Sequence, residues 1–258
     1  MGDAERHAVT DVDDAGVATV TVRGANSLNI VGTAAIREVT AAISALSGDS
    51  RVRVLVLRGA AENAFVGGAD IAEMSELDRD SAQVFIRGLA ALCEAVRSFP
   101  APVVARISGW CLGAGLELAA ACDLRISDDG ARFGMPEVQV GIPSVIHAAL
   151  LPRLVGSGRA ASLMLTGRRV DAGTALAWGL VDEVVGQAEL DTAVARTAGG
   201  LAALPPAALR KQKELLRAWE ELPVDRAVEH SVAAFGDAFD TGEPQQRMGE
   251  FLQRKRTR

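Results

Sequence analysis

Between Pro102 and Gly141 the chain reads PVVARISGWCLGAGLELAAACDLRISDDGARFGMPEVQVG, an order of residues that dictates strand, turn, helix and strand in quick succession. Val103 to Ile107 is a short β-branched run bounded by Pro102 and Gly109, the pattern of a strand buried in a sheet. Gly109, Gly113 and Gly115 follow, where the backbone can bend sharply and approach another group closely. Leu112 to Ala121 then reads as an apolar helix. Its first N–H groups have no helical partner and carry the positive end of the helix dipole, which makes them donors for an oxyanion.

Two carboxylates stand in this apolar company. Glu117 lies between Leu116 and Leu118, and the following Ala119, Ala120, Ala121 and Cys122 offer it no positive partner. Burying an unpaired carboxylate costs several kcal/mol, so its presence needs a reason. Glu137 follows Pro136 and lies 137 − 117 = 20 residues further on, beyond the run Leu124 to Ser127. From neighbouring segments both can face one cavity, where desolvation and mutual repulsion would push their pKa values apart, as acid–base chemistry requires. The plainer reading also stands at this point, since a glutamate near a helix start is commonly a dipole partner and one after proline an ordinary first-turn residue.

The stretches Gly113-Ala114-Gly115-Leu116-Glu117-Leu118-Ala119, Cys122-Asp123 and Phe133-Gly134-Met135-Pro136-Glu137 resemble the signature of the enoyl-CoA hydratase/isomerase superfamily, the crotonases. Upstream, Phe65-Val66-Gly67-Gly68-Ala69-Asp70-Ile71 resembles that family's second oxyanion-hole loop, and the likeness runs from about Val17 to Arg256. The resemblance implies an α/β fold, a crotonase-like spiral of ββα units with a C-terminal helical region. It also implies that Ala69 and Ala114 give the two backbone N–H donors of the oxyanion hole, with Glu117 and Glu137 catalytic. The substrate or CoA contacts it implies are Asn26, Leu28, Gly67, Asp70, Ile71, Gly113, Phe251 and Arg254. Asn26 stands where the family commonly has a basic residue.

Strand and helix signals alternate through the first two thirds of the chain. His7 to Val12 and Val17 to Val22 flank Asp13-Asp14-Ala15-Gly16 and read as a hairpin. Helical spacing predicts helices over Thr33 to Leu46 and Ser81 to Ser98, with a strand at Val52 to Leu57. Such alternation favours largely parallel pairing with both sheet faces covered. Asp70 can cap the helix that follows it. Val145 to Val155 reads as a helix broken by Pro152, Arg159 to Leu165 as a helix closed by Gly167, and Asp171 caps Ala172 to Trp178 before a strand at Val181 to Val185. Beyond Gly186 the strands stop. Helices are expected over Ala188 to Leu204, Pro206 to Glu221, Val224 to Phe239 and Pro244 to Lys255, with prolines at the joints. The chain therefore divides into an α/β core over 1–186 and a helical region over 187–258, which in the resembling family makes the trimer contact. The tail Arg254-Lys255-Arg256-Thr257-Arg258 is basic and could meet an anion such as a CoA phosphate.

The balance of 27 basic against 33 acidic residues, net −6, argues against nucleic acid or an anionic membrane as the partner. No apolar run reaches the roughly 18 residues of a membrane span, and no export signal is apparent, so a cytoplasmic protein is expected. Cys93, Cys111 and Cys122 form no CxxC pair, and three histidines are too few to suggest a metal site. No cofactor is expected, coenzyme A being part of the substrate.

The reaction the resemblance implies is hydration of a trans-2-enoyl-CoA to the 3-hydroxyacyl-CoA through an enolate held in the oxyanion hole, with Glu117 on water and Glu137 on Cα. The alternatives are a double-bond isomerase or other crotonase-type lyase relying on Glu137, and a non-catalytic acyl-CoA-binding subunit. A binder would gain by losing the buried charges. A dinucleotide oxidoreductase lacks its G-x-G-x-x-G and a serine hydrolase its G-x-S-x-G. A homotrimer or homohexamer is implied, with Phe251 and Arg254 reaching a neighbour's CoA. The sequence departs from the family at Gly141-Ile142-Pro143-Ser144-Val145-Ile146-His147, where hydratases carry a longer turn and Pro-Gly-x-Gly-Gly. Valine and isoleucine resist the positive φ open to glycine, so these side chains either narrow the cavity, favouring short acyl groups, or pack under the next helix. His147 is expected off the chemistry.

Overall fold

The computed structural model describes residues 6–256. An antiparallel hairpin of β1 (Ala8–Val12) and β2 (Val17–Val22) leads into α1 (Thr33–Ser47), then β3 (Val54–Gly59), β4 (Ala64–Val66), α2 (Ile71–Ser75) and α3 (Arg79–Arg97). The next turn of chain is β5 (Val103–Ile107), β6 (Trp110–Leu112) and α4 (Ala114–Ala121). It is followed by β7 (Leu124–Asp128), β8 (Arg132–Gly134) and two 3₁₀ turns, Glu137–Val140 and Ile146–Leu150. Then come α5 (Leu151–Val155), α6 (Ser157–Thr166), β9 (Arg169–Asp171), α7 (Ala172–Trp178) and β10 (Glu183–Val185). Four helices close the chain: α8 (Leu190–Ala202), α9 (Pro206–Glu221), α10 (Val224–Asp240) and α11 (Glu243–Arg256).

The pairs β3/β4, β5/β6 and β7/β8 each give their first strand to one sheet and their second to another. The larger sheet runs β1-β2-β3-β5-β7-β10 and the smaller β4-β6-β8-β9. Pairing is parallel throughout except at β1/β2 and β8/β9. The large sheet is apolar on both faces, as parallel sheets must be once helices cover them. Leu55, Leu57, Val103 and Ala105 face the main core with α1, α3 and α4. Val54, Val56, Val104 and Ile126 point the other way, onto Leu190, Ala193, Val194 and Ala198 of α8. The first helix beyond the last strand thus roofs the sheet, and truncating a core residue such as Leu57 to alanine would cost about 2–5 kcal/mol.

The helices start where the side chains dictate. Asp78 and Ser81 form a reciprocal capping box at α3, and Asp171 caps α7. The Cys122-Asp123 pair is structural. The Asp123 carboxylate accepts from the Val103 N–H (2.7 Å) and pairs with buried Lys213 (2.7 Å), which pins α9 beneath the strand entering the site. Beyond that anchor α9, α10 and α11 leave apolar side chains in the open, Phe235 and Phe251 being 68% and 60% exposed.

Local details differ from the expected ones. Leu112 ends β6 instead of opening a helix, because Gly113 breaks the chain between strand and helix. Val145 to Val155 divides into a 3₁₀ turn and α5, with Pro152 tolerated in the first turn of α5, where its missing N–H has no partner to lose. Of the basic tail, 254–256 extend α11, while Thr257 and Arg258 lie outside the described residues.

Candidate active site

The turn between β6 and α4 exists only because residue 113 is glycine. Gly113 sits at φ +52°, and a Cβ there would run into Oε1 of Glu137. Its N–H donates to the Gly134 carbonyl (2.9 Å), which locks the turn onto β8. A side chain on Gly115 would meet the Val66 carbonyl, so the start of α4 lies hard against β4.

The second glycine turn leaves the end of β4. Gly67 N–H donates to the Leu28 carbonyl (2.8 Å), Val31 N–H to the Gly68 carbonyl (3.0 Å) and Asp70 N–H to the Val31 carbonyl (3.0 Å). The Asp70 carboxylate caps α2 by accepting from the N–H groups of Ala72 (2.9 Å) and Glu73 (3.2 Å). Between these fixed points Ala69 N–H has no acceptor among the described residues, and neither has Ala114 N–H at the first position of α4. Both residues line one cavity of about 430 Å³.

Both carboxylates reach that cavity. Glu117, one turn into α4, is only 4% exposed, and its Oε1 accepts from the Ala148 N–H (3.0 Å) at the second 3₁₀ turn. Glu137, half-buried in the first 3₁₀ turn, accepts at Oε2 from the Ser144 hydroxyl (2.9 Å). Among the described residues, no Lys, Arg or His lines the cavity to neutralise either. Burial therefore pushes the Glu117 carboxyl up to about 8, the Ala148 N–H opposing this and the charge of Glu137 adding to it. Burial also raises Glu137, against its own backbone N–H and the Ser144 hydroxyl. Glu137 keeps two donors and more solvent, so Glu117 holds its proton the more tightly.

The remaining wall is apolar. Met74, Phe85 and Leu89 come from α2 and α3, and Val140, Ile142 and Val145 from the segment after Glu137. The departure at 141–147 divides between the two expected outcomes. Ser144 and Val145 face the cavity, while Ile146 packs against the core at φ +41°, a conformation expected to be closed to it. That strained residue opens the turn that presents Ala148 N–H to Glu117. His147 does not line the cavity; its Nε2 lies 3.6 Å from Glu94 of α3, and burial lowers its pKa.

Of the residues singled out in the sequence, Asn26, Gly67, Ala69, Asp70, Ile71, Gly113, Ala114, Glu117 and Glu137 surround this one cavity. Leu28 contributes its carbonyl to the loop, its side chain being exposed and off the lining. Phe251 and Arg254 lie on α11, apart from this cavity. The sequence reading did not find the Ala148 N–H or the Ser144 hydroxyl as the partners of the two carboxylates, since each needs a backbone path that no local pattern specifies.

A family model described as enoyl-CoA hydratase/isomerase matches residues 13–258. Among curated relatives, a short-chain-enoyl-CoA hydratase of Clostridium acetobutylicum is 33% identical, over 93% of this chain and 92% of its own length. A crotonyl-CoA hydratase of Syntrophomonas wolfei is also 33% identical, over 93% of each chain. Among solved structures, an enoyl-CoA hydratase from Mycobacterium smegmatis superposes with a TM-score of 0.93 at 28% identity, covering 97% of each chain.

Proposed function

Because the chain belongs to the enoyl-CoA hydratase/isomerase family, we propose that this cavity hydrates short trans-2-enoyl-CoA thioesters to 3-hydroxyacyl-CoA. The observation that carries the reading is the pair Glu117 and Glu137 beside two backbone N–H groups without acceptors, all on one cavity wall. The thioester oxygen accepts from Ala69 and Ala114, with the dipole of α4 behind the second donor. Charge moved from Cα onto that oxygen is stabilised as an enolate.

Water and proton transfer fall to the carboxyl pair, which acts with one proton shared between its members. With that proton on Glu117 the site is set for elimination: Glu137 takes the Cα proton while Glu117 protonates the departing hydroxyl. Hydration is the same path reversed. From the tautomer protonated on Glu137, Glu117 accepts a proton from water as oxygen bonds to Cβ, and Glu137 delivers its own to Cα. The steps require no group beyond the carboxylates, the N–H donors and the CoA of the substrate.

Val140, Ile142 and Val145 crowd the wall beside Glu137 and favour short acyl groups. The exposed apolar faces of α9 to α11 support a homotrimer or a homohexamer, with Phe251 and Arg254 reaching the CoA bound by a neighbour. Three buried free thiols suit a reducing compartment such as the cytoplasm. The test is loss of the conjugated thioester absorbance over enoyl-CoA esters of graded length. Turnover is expected to be fastest with crotonyl-CoA and its near homologues, and a preference for long chains would overturn the narrowing by Val145.

A further inference from the structure

Ser144 is the polar side chain that the departure at 141–147 sets against a carboxylate of the cavity. Its hydroxyl donates to Oε2 of Glu137 at 2.9 Å. The other oxygen, Oε1, lies over Gly113 at the start of α4, where a Cβ would collide with it. One oxygen is thereby tied to the serine and the other is turned toward the oxyanion turn. Glu117 has a backbone donor in Ala148 and, among the described residues, no side-chain donor.

We propose that Ser144 is a positioning residue for Glu137: its O–H holds that carboxyl ionised with Oε1 toward the acyl site, and so leaves the shared proton on Glu117. A hydroxyl donor stabilises a carboxylate more than a carboxylic acid. Its effect therefore falls on the state in which Glu137 accepts the Cα proton. The titratable groups facing the pair are few. Cys93 of α3 feels the charge of Glu117, Asp70 stands on the cavity wall with its carboxylate committed to the α2 cap, and Glu94 of α3 faces His147 of the second 3₁₀ turn. None donates to Glu137 among the described residues, so Ser144 is the side chain able to set its charge.

This inference rests on the hydratase reading for its kinetic consequence, and its physical core is testable apart from activity. Removing the donor raises the pKa of Glu137, so the acid limb of the kcat/KM profile for dehydration of a 3-hydroxyacyl-CoA, the direction that starts from ionised Glu137, moves to higher pH. In Ser144→Ala the limb is expected to shift up by about one pH unit, the scale of one hydrogen bond to a charged group. At a pH below the limb kcat for dehydration of 3-hydroxybutyryl-CoA falls about tenfold, its KM changes little, and Ser144→Thr, which keeps the hydroxyl, restores the wild-type profile. In parallel, the Glu137 resonance of protein labelled with ¹³C at the glutamate carboxyl is assigned by its loss in Glu137→Gln. It should titrate at higher pH in Ser144→Ala. An unmoved Glu137 titration, or a pH-independent loss of activity that Thr does not rescue, would overturn the proposal. If the wild type consumed no enoyl-CoA, the reaction would fall while the ¹³C titration still decided the role of Ser144.

Discussion

Burial of Glu117 makes the stability of the fold depend on pH. Its carboxyl keeps a proton up to about pH 8 in the folded protein, whereas in the unfolded chain it ionises near the ordinary 4.5. Between those values the folded state binds more protons than the unfolded state, so stability falls as pH rises through the window. Glutamine keeps an acceptor for the Ala148 N–H and has no charge to bury. Glu117→Gln is therefore expected to gain about 2–3 kcal/mol over wild type at pH 7 and little at pH 4. Urea unfolding at the two pH values checks this, and equal stabilisation at both would mean that burial does not govern the group. The same substitution, like Glu137→Gln, should cut turnover of crotonyl-CoA by at least about 10², the usual contribution of a positioned acid or base. Glu117→Gln retaining full activity would favour isomerisation through Glu137 alone.

At the scale of elements, the site is two strand ends whose glycine turns each leave one N–H unspent. Replacing Ala114 by lactic acid converts its amide to an ester and deletes one donor with the side chain unchanged. The expected loss in kcat is about 10²–10³, and a loss under threefold would remove Ala114 from the oxyanion hole. These turns were legible in the sequence because glycines and bounding apolar runs mark them: β3 and β5 carry runs of valine, leucine and isoleucine, and α1 and α3 repeat at helical spacing. Strands of three residues such as β6 and β9 are shorter than any period can register. The donors to the two carboxylates escaped for a different reason. Ser144 reaches Glu137 across the left-handed Gly141, and Ala148 lies 31 residues from Glu117 on a backbone path that puts Ile146 at positive φ. Residue preferences argue against that path, and tertiary packing overrides them.

For the whole molecule, α9 to α11 pose the question of what covers them. Val232, Phe235 and Phe251 are all more than half exposed, and large apolar side chains left in the open are what a contact between chains would cover. Sedimentation should give a trimer or a dimer of trimers, and Phe235→Asp should dissociate it. A wild-type monomer with full activity would end both the assembly and the role of Phe251 and Arg254 at a neighbour's CoA. The central claim is that the two carboxylates add water across the double bond and do not merely move it. Crotonyl-CoA turned over in D₂O enriched with H₂¹⁸O, with the product read by mass spectrometry, tests this most directly. The account predicts one ¹⁸O at C3 and one deuterium at C2. A product with no ¹⁸O and its double bond displaced to C3–C4 would contradict it.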